Sequence, residues 1–281
     1  MPLPEPRTFA ELEAVEPHGI DAWVGTSPPY AWGRIYGGQV IAQALRAAMH
    51  TVEESRAVHS LHAYFILGGR LDEPVRYEVD RVRTGASFVT RRVVARQSTG
   101  AILTLEASFQ AAEPAPAVQT VRMPDGVPGP DEFPEVGWGW IIERRQVPQQ
   151  HGTGRALTWV RVDRSVGADA RSRACALAFA SDTATVMAVR AAHPAGDVPQ
   201  ARSNEVFMAA SLDHAVWFHA DAPMDDWLLI DMHCHAVGGA RGLSIGHVFA
   251  PDGLHVATIV QEALVRERRS DPVAPRDVSG T

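Results

Sequence analysis

The sequence predicts an α+β chain of two tandem units, each an apolar helix wrapped by a meander of antiparallel strands. Three observations predict it. A helical pattern followed by four strand-like runs occurs twice. The halves also match in detail: "HSLHAYF" at 59–65 resembles "ASLDHAVWF" at 210–218, and Ser60 precedes Gln110 by the same fifty residues that separate Ser211 from Gln261. Between the halves lies a stretch with six prolines, 111–135. A repeat of about 150 residues is too long for a solenoid unit. It suits two fused domains, in which each sheet curls around its own helix and buries one face. That arrangement is the hotdog fold, and two copies in tandem make a double hotdog.

In the first half, Val40, Ile41, Ala44, Leu45 and Ala48 recur at helical spacing after a pair of glycines, predicting a helix over 37–52. The runs 57–67, 74–83, 87–97 and 101–110 are rich in β-branched and aromatic residues and are bounded by turn residues, so they read as strands. In the second half, 137–147 and 156–163 are strand candidates. The Ala-rich run 171–189 reads as one helix, and 207–219, 227–237, 241–250 and 255–265 as four strands. The expected domains are 1–112 and 136–268, joined by an extended linker at 113–135 that packs poorly. Residues 269–281 read as a disordered tail.

Composition narrows the function. The 281 residues are 46% hydrophobic and 21% charged, enough apolar material for a sizeable core. A net charge of −7 argues against a nucleic-acid partner. All 26 basic residues are Arg, so no side chain can form a Schiff base. Two cysteines are too few for a disulfide framework, and the N-terminus lacks a signal pattern, so a reducing cytoplasm is expected. No unbroken run of about 18 apolar residues suggests a membrane span. The phosphate-binding patterns GxGxxG and GxxxxGK[ST] are absent, and no strand–turn–helix nucleophile elbow is expected.

Asp182 stands out because it sits late in an otherwise apolar helix. Desolvation there would raise its pKa and make it a base near neutral pH. The first helix carries no acid, so the second half is the better candidate for a site. Ser211 and Gln261 fall on strands of one sheet and could hold a water by hydrogen bonds. Their counterparts Ser60 and Gln110 lack an acid and read as relics. Gly37, Gly38 and Gln39 open the first helix, where free N–H groups and the helix dipole could stabilise an oxyanion. His233 and His235 would share a strand face, but no further ligands converge on them, so neither a metal nor another cofactor is expected. Trp138, Trp140 and Trp159 could shape a pocket or belong to the core.

The segments "YGGQVIAQAL", "VHSLHAYF", "GASFVTRRVVARQ", "LEASFQ", "FASD", "SLDHAVWFH", "GGARGL" and "VATIVQEALVR" run in order from residue 34 to 266. With them the chain resembles the acyl-CoA thioesterase II (TesB-type) family of double-hotdog enzymes. The resemblance implies a catalytic set of Asp182, Ser211 and Gln261 acting on an acyl-CoA. Asp213 and His214 would belong to the motif in structural hydrogen-bonding roles. Two departures stand out. Ala220 follows "WFH" where the family often has a basic residue, and "HCH" occupies positions where small or hydroxyl residues are usual. The implied reaction is hydrolysis of the thioester by a water that Asp182 deprotonates; Ser211 as a nucleophile is the alternative. Arg34, Arg91, Arg92 and Arg241 are candidates for the phosphates of coenzyme A. Other hotdog chemistry is conceivable: a hydratase or dehydratase using His59 or His62, or a non-catalytic acyl-CoA binding module. A homo-oligomer is expected.

Overall fold

The computed structural model describes residues 6–136, 141–148, 151–198 and 202–268. The first half contains α1 (Phe9–Glu13), β1 (Glu16–Pro17), β2 (Ala22–Gly25), α2 (Gly37–Met49), β3 (Arg56–Phe65), β4 (Val75–Thr84), β5 (Phe88–Gln97) and β6 (Gly100–Ala111). The second contains β7 (Ile142–Val147), β8 (Arg155–Val162), α3 (Ala170–Ser181), α4 (Thr185–Ala192), α5 (Ser203–Val206), β9 (Phe207–Ser211), β10 (Asp213–Phe218), β11 (Leu228–Gly238), β12 (Arg241–Phe249) and β13 (His255–Glu267).

The two expected sheets join into one antiparallel sheet of 13 strands. The seam is β3 against β10, with Asp213 opposite Tyr64 and Trp217 opposite Ser60. Outward from the seam the first half runs β3-β6-β5-β4-β2-β1 and the second runs β10-β13-β12-β11-β8-β7, while β9 adds to β13. The repeat read from the sequence is therefore a repeat of strand order about the seam.

Helices α2 and α3 pack against each other and run antiparallel. The Tyr36 hydroxyl at the start of α2 donates to Phe179 O near the end of α3, at 2.9 Å. Arg46 near the end of α2 donates to Ser172 near the start of α3, at 2.7 Å. On α2, Ile41, Leu45 and Met49 are buried, as are Cys175, Leu177 and Phe179 on α3. Full burial of such a side chain contributes about 1.5–3 kcal/mol, so the paired helices anchor both halves.

Two expectations about continuity are corrected. The helix expected over 171–189 is broken: α3 ends at Ser181, Asp182 caps it, and α4 resumes at Thr185. The span Ala170–Ala192 is apolar and long enough to cross a membrane, yet it carries this break and is mostly buried as core. The strand expected over 207–219 is interrupted at Leu212, whose N–H donates to Glu262 O at 2.9 Å. Both interruptions fall at the site described below.

The segment between β6 and β7 also departs from expectation. Its Val121, Met123, Val127 and Phe133 pack over Leu157, Trp159, Leu229 and Phe249 of the second half's sheet. The Trp159 indole N–H donates to Pro128 O at 3.0 Å, which makes Trp159 a core residue rather than a pocket wall. Trp138 and Trp140 lie outside the described residues, as do 269–281 of the expected tail.

Candidate active site

The antiparallel helix pair brings the C-terminus of α3 to the N-terminus of α2. Asp182 sits at that junction. Its carboxylate lies beside Gly37, where an added Cβ would come within 2.7 Å of Asp182 Oδ2 and 2.8 Å of the Phe65 ring. At Gly38 a Cβ would fall 2.3 Å from Phe179 O. The two glycines are thus required by close packing, helix against helix, and not by an unusual backbone angle.

The strands supply the other groups. The Ser211 hydroxyl donates to Asp182 Oδ1 at 3.2 Å. Gln261 Nε2 donates to Ser211 Oγ at 2.9 Å. The break at Leu212 matters here: Ser211 ends β9 opposite Ala263, two positions beyond Gln261, and the interruption lets its side chain reach both Gln261 and Asp182. The Asp213 carboxylate accepts the Glu262 N–H at 2.6 Å and holds this irregular turn. Asp182, Ser211 and Gln261, distant in sequence, therefore converge.

Burial dominates the electrostatics of Asp182 and pushes its pKa from 3.8 up to about 7. Hydrogen bonds from Ser211, the Gly38 N–H and Gln261, and the charge of Arg34, oppose the rise without cancelling it. A carboxyl so placed can accept a proton near neutral pH.

The structural hydrogen-bonding role expected of His214 has specific partners, which the sequence did not name. His214 is buried, and its Nδ1 lies 2.5 Å from Gln261 Oε1. Its Nε2 lies 2.8 Å from Ser181 Oγ. Burial lowers the His214 pKa to about 4, with the Gln261 contact opposing, so the imidazole is neutral at physiological pH. The available signal was a histidine on the core face of a strand, three residues after a candidate site serine.

Several expected site residues are placed elsewhere. Gln39 is buried facing away from Asp182: its Nε2 donates to Thr26 O at 2.9 Å and Ser27 Oγ at 2.7 Å, and its own N–H bonds to Tyr36 O. It is structural, not an oxyanion donor. Arg91 is 1% exposed, and its guanidinium binds Thr51, Thr84 and the carbonyls of Arg83, Thr90 and Thr51. A buried guanidinium with its donors occupied cannot receive a phosphate, so Arg91 is removed from the coenzyme A set. Arg92 is exposed and paired with Asp80 at 2.8 Å. Arg241 is paired with Glu262, the residue after Gln261, at 2.9 Å. Arg34 lies on the loop before α2, where one guanidinium nitrogen is 3.4 Å from Ala209 O of β9, and its charge acts on Asp182.

Ser60 and Gln110 do not form a second copy of the site. Ser60 is opposite Ser108, whereas Gln110 is opposite Ala57, so the shared fifty-residue spacing does not bring shared registers. His59 bonds Ser108 Oγ at 2.8 Å, and His62 packs edge-on to Trp217 across the seam. His233 pairs with Asp231, which also binds Arg155. The string Gly-Leu-Ser-Ile-Gly at 242–246 does match GxSxG letter for letter. It runs within β12, with Ser244 buried, and makes no strand-to-helix elbow.

Residues 26–110 match the family model described as the acyl-CoA thioesterase N-terminal domain, and residues 110–265 match the C-terminal domain. This chain belongs to the acyl-CoA thioesterase family. The thioesterase is 34% identical to acyl-coenzyme A thioesterase 8 of Rattus norvegicus, over 89% of this chain and 84% of the relative. It is 29% identical to acyl-CoA thioesterase 2 of Haemophilus influenzae, over 86% and 91%. The crystal structure of acyl-CoA thioesterase II TesB2 from Mycobacterium marinum superposes with a TM-score of 0.79 at 32% identity, covering 94% of this thioesterase and 99% of that chain. A dehydratase domain of Pseudomonas fluorescens, at 12% identity and a TM-score of 0.51, shares the fold alone. The double-hotdog expectation holds, and the reaction is hydrolysis of an acyl-CoA thioester, not hydration of a double bond.

Proposed function

We propose that this thioesterase hydrolyses its substrate with a water held by Asp182, Ser211 and Gln261. The observation that carries the reading is a buried carboxylate, poised near neutral pH, hydrogen bonded to Ser211 and approached by Gln261. Asp182 takes a proton as the water oxygen bonds to the thioester carbonyl carbon. The carbonyl oxygen becomes an oxyanion near the first turn of α2, where the positive end of the helix dipole favours negative charge. Collapse breaks the C–S bond, the departing thiolate takes up the proton held by Asp182, and the products are a carboxylic acid and coenzyme A.

Water is favoured over a serine nucleophile because Ser211 already accepts a hydrogen bond from Gln261 Nε2. That bond withdraws electron density from the hydroxyl oxygen and suits it to orienting. Arg34 is the first candidate for an anionic part of coenzyme A, since its charge reaches the Asp182 carboxylate; Arg241 and Arg92 would exchange their present acidic partners for phosphate. Exposed Tyr64, Val82 and Phe88 offer apolar surface for pairing copies in a homo-oligomer. Cys175 and Cys234, both free thiols, suit a reducing cytoplasm.

The test is Asp182→Asn, assayed by thiol release from acyl-CoAs of several chain lengths. The expected loss is about 10²–10⁴-fold in turnover, with the circular dichroism spectrum retained. Near-normal hydrolysis would reject Asp182 as the base, and an acyl adduct trapped on Ser211 would replace the water mechanism with a covalent one.

A further inference from the structure

With His214 neutral, the hydrogen bonds around Gln261 admit two self-consistent directions, which differ in whether the single Ser181 proton goes to His214 Nε2 or to Ala178 O. In one, Ser181 O–H donates to His214 Nε2, His214 Nδ1–H donates to Gln261 Oε1, Gln261 Nε2–H donates to Ser211 Oγ, and Ser211 O–H donates to Asp182 Oδ1. Every bond points toward the carboxylate. In the other, the Gln261 amide is turned over. Its NH₂ group then faces a bare His214 Nδ1, His214 Nε2–H donates to Ser181 Oγ, and Ser181 O–H donates to Ala178 O, which lies 2.9 Å away. Gln261 Oε1 now takes the Ser211 proton, and Asp182 loses that donor. Because a Gln amide presents an acceptor at one end and donors at the other, the tautomer of the neutral imidazole and the orientation of the amide are locked together.

We propose that His214 is a positioning residue: as the Nδ1–H tautomer, seated on Ser181, it holds the Gln261 carbonyl and so directs the amide N–H groups toward Ser211 and Asp182. The placement is internal to the fold. Ser181 is the last residue of α3, immediately before Asp182, so one helix end carries both the base and the seat of the histidine that aligns the base's partners. His214 is 1% exposed and Gln261 is fully buried, so no solvent competes for the amide. The inference deepens the reading of Asp182 as the base and rests on it.

The first test needs no variant. Nitrogen-15 spectra of the imidazoles in the intact protein at pH 7 should show one histidine protonated at Nδ1 and bare at Nε2, assigned to His214 by its absence from His214→Asn. The opposite tautomer, or an imidazolium, would overturn the proposal. The second test compares pH profiles of kcat. The charged and polar groups facing Asp182 are Arg34 and Tyr36 from the segment leading into α2, the Gly38 N–H, Ser211 and Gln261. His214→Leu removes the donor to Gln261 Oε1 and frees the amide to turn. Asp182 then loses the Ser211 proton, and the rising limb of the profile moves to higher pH. The accompanying loss in kcat is about 10–100-fold, the range that outer orienting partners command at metal sites, with KM little changed. His214→Asn, whose amide N–H occupies the place of Nδ1–H, should restore the limb. A merely structural histidine would lower the folded fraction in both variants and leave the limb of the surviving enzyme where it was, which would refute the proposal. If Asp182→Asn were active, the base assignment would fall by itself, whereas an active Asp182 with an unmoved limb in His214→Leu would sink only the role of His214.

Discussion

Removing the carboxylate of Asp182 should make the protein more stable at neutral pH while cutting its turnover about 10²–10⁴-fold. Folding carries this carboxyl from 3.8 to about 7. The folded state therefore resists ionisation, and above pH 7 the penalty is on the order of 4 kcal/mol at about 1.4 kcal/mol per tenfold. The sign follows from linkage. The folded state binds the proton more tightly than the unfolded state, so stability falls as pH rises from about 4 to about 7 and is flat beyond. Roughly 2–3 kcal/mol of the penalty accrues between pH 5 and pH 8. Asp182→Asn removes that slope. Asn loses one acceptor near Gly38 and Ser211, which costs about 1–3 kcal/mol at every pH, so the diagnostic quantity is the difference in slope and not the absolute gain. Urea midpoints of wild type and Asp182→Asn, measured at half-unit steps from pH 5 to 8, give it directly. The variant should gain on the wild type with rising pH. Parallel curves would mean that Asp182 titrates as an ordinary carboxylate, and the argument for a buried base would be lost.

Three further outcomes are expected. The kcat/KM of the wild type should rise with pH through about 7 as Asp182 loses its proton; Ser211→Ala, which removes a hydrogen bond that favours the ionised form, should move that limb upward, and an unshifted limb would detach Ser211 from the base. Gly37→Ala forces a methyl within 2.7 Å of Asp182 Oδ2 and should depress kcat more than stability, whereas Gly38→Ala meets backbone at 2.3 Å and should destabilise by about 1–3 kcal/mol; thermal melts beside thiol-release assays separate the two. Arg91→Leu leaves the Thr51 and Arg83 carbonyls without their donor and should destabilise by about 2–4 kcal/mol without changing KM for acyl-CoA; a raised KM in folded enzyme would return Arg91 to the coenzyme A set.

Much of this was legible in the sequence because periodicity reports burial directly. The α2 pattern at Val40, Ile41, Leu45 and Met49 and the strand runs on either side of the seam depend only on which faces are apolar. Asp182 was legible for the same reason, as a charge on an apolar helix. What escaped was geometry set by partners. The polar run Ser181-Asp182-Thr183 and Thr185 does mark the break, but Ala, Val and Met resume from 184 to 189 and carry the helical pattern across it, hiding the point where the chain turns the carboxylate toward α2. The segment 113–135 looks idle by composition, yet four apolar side chains suffice to seat it on a sheet that needs cover. Arg91 and Gln39 read as polar groups free for a ligand, and only the fold shows that Thr51, Thr26 and Ser27 already hold them. The equal spacing of Ser60–Gln110 and Ser211–Gln261 misled because a count along the chain ignores register.

The base and the backbone that crowds it come from opposite halves of the chain: Asp182 closes a helix of the second, and Gly37 and Gly38 open a helix of the first. Prying the halves apart would do more than divide a binding cleft. The carboxyl would meet bulk solvent, revert to ordinary acidity and cease to accept protons at neutral pH. Fusion of the two units is thus what keeps bulk solvent from the carboxyl, and a substitution that pushes Gly37 or Gly38 off the end of α3 would lower its proton affinity.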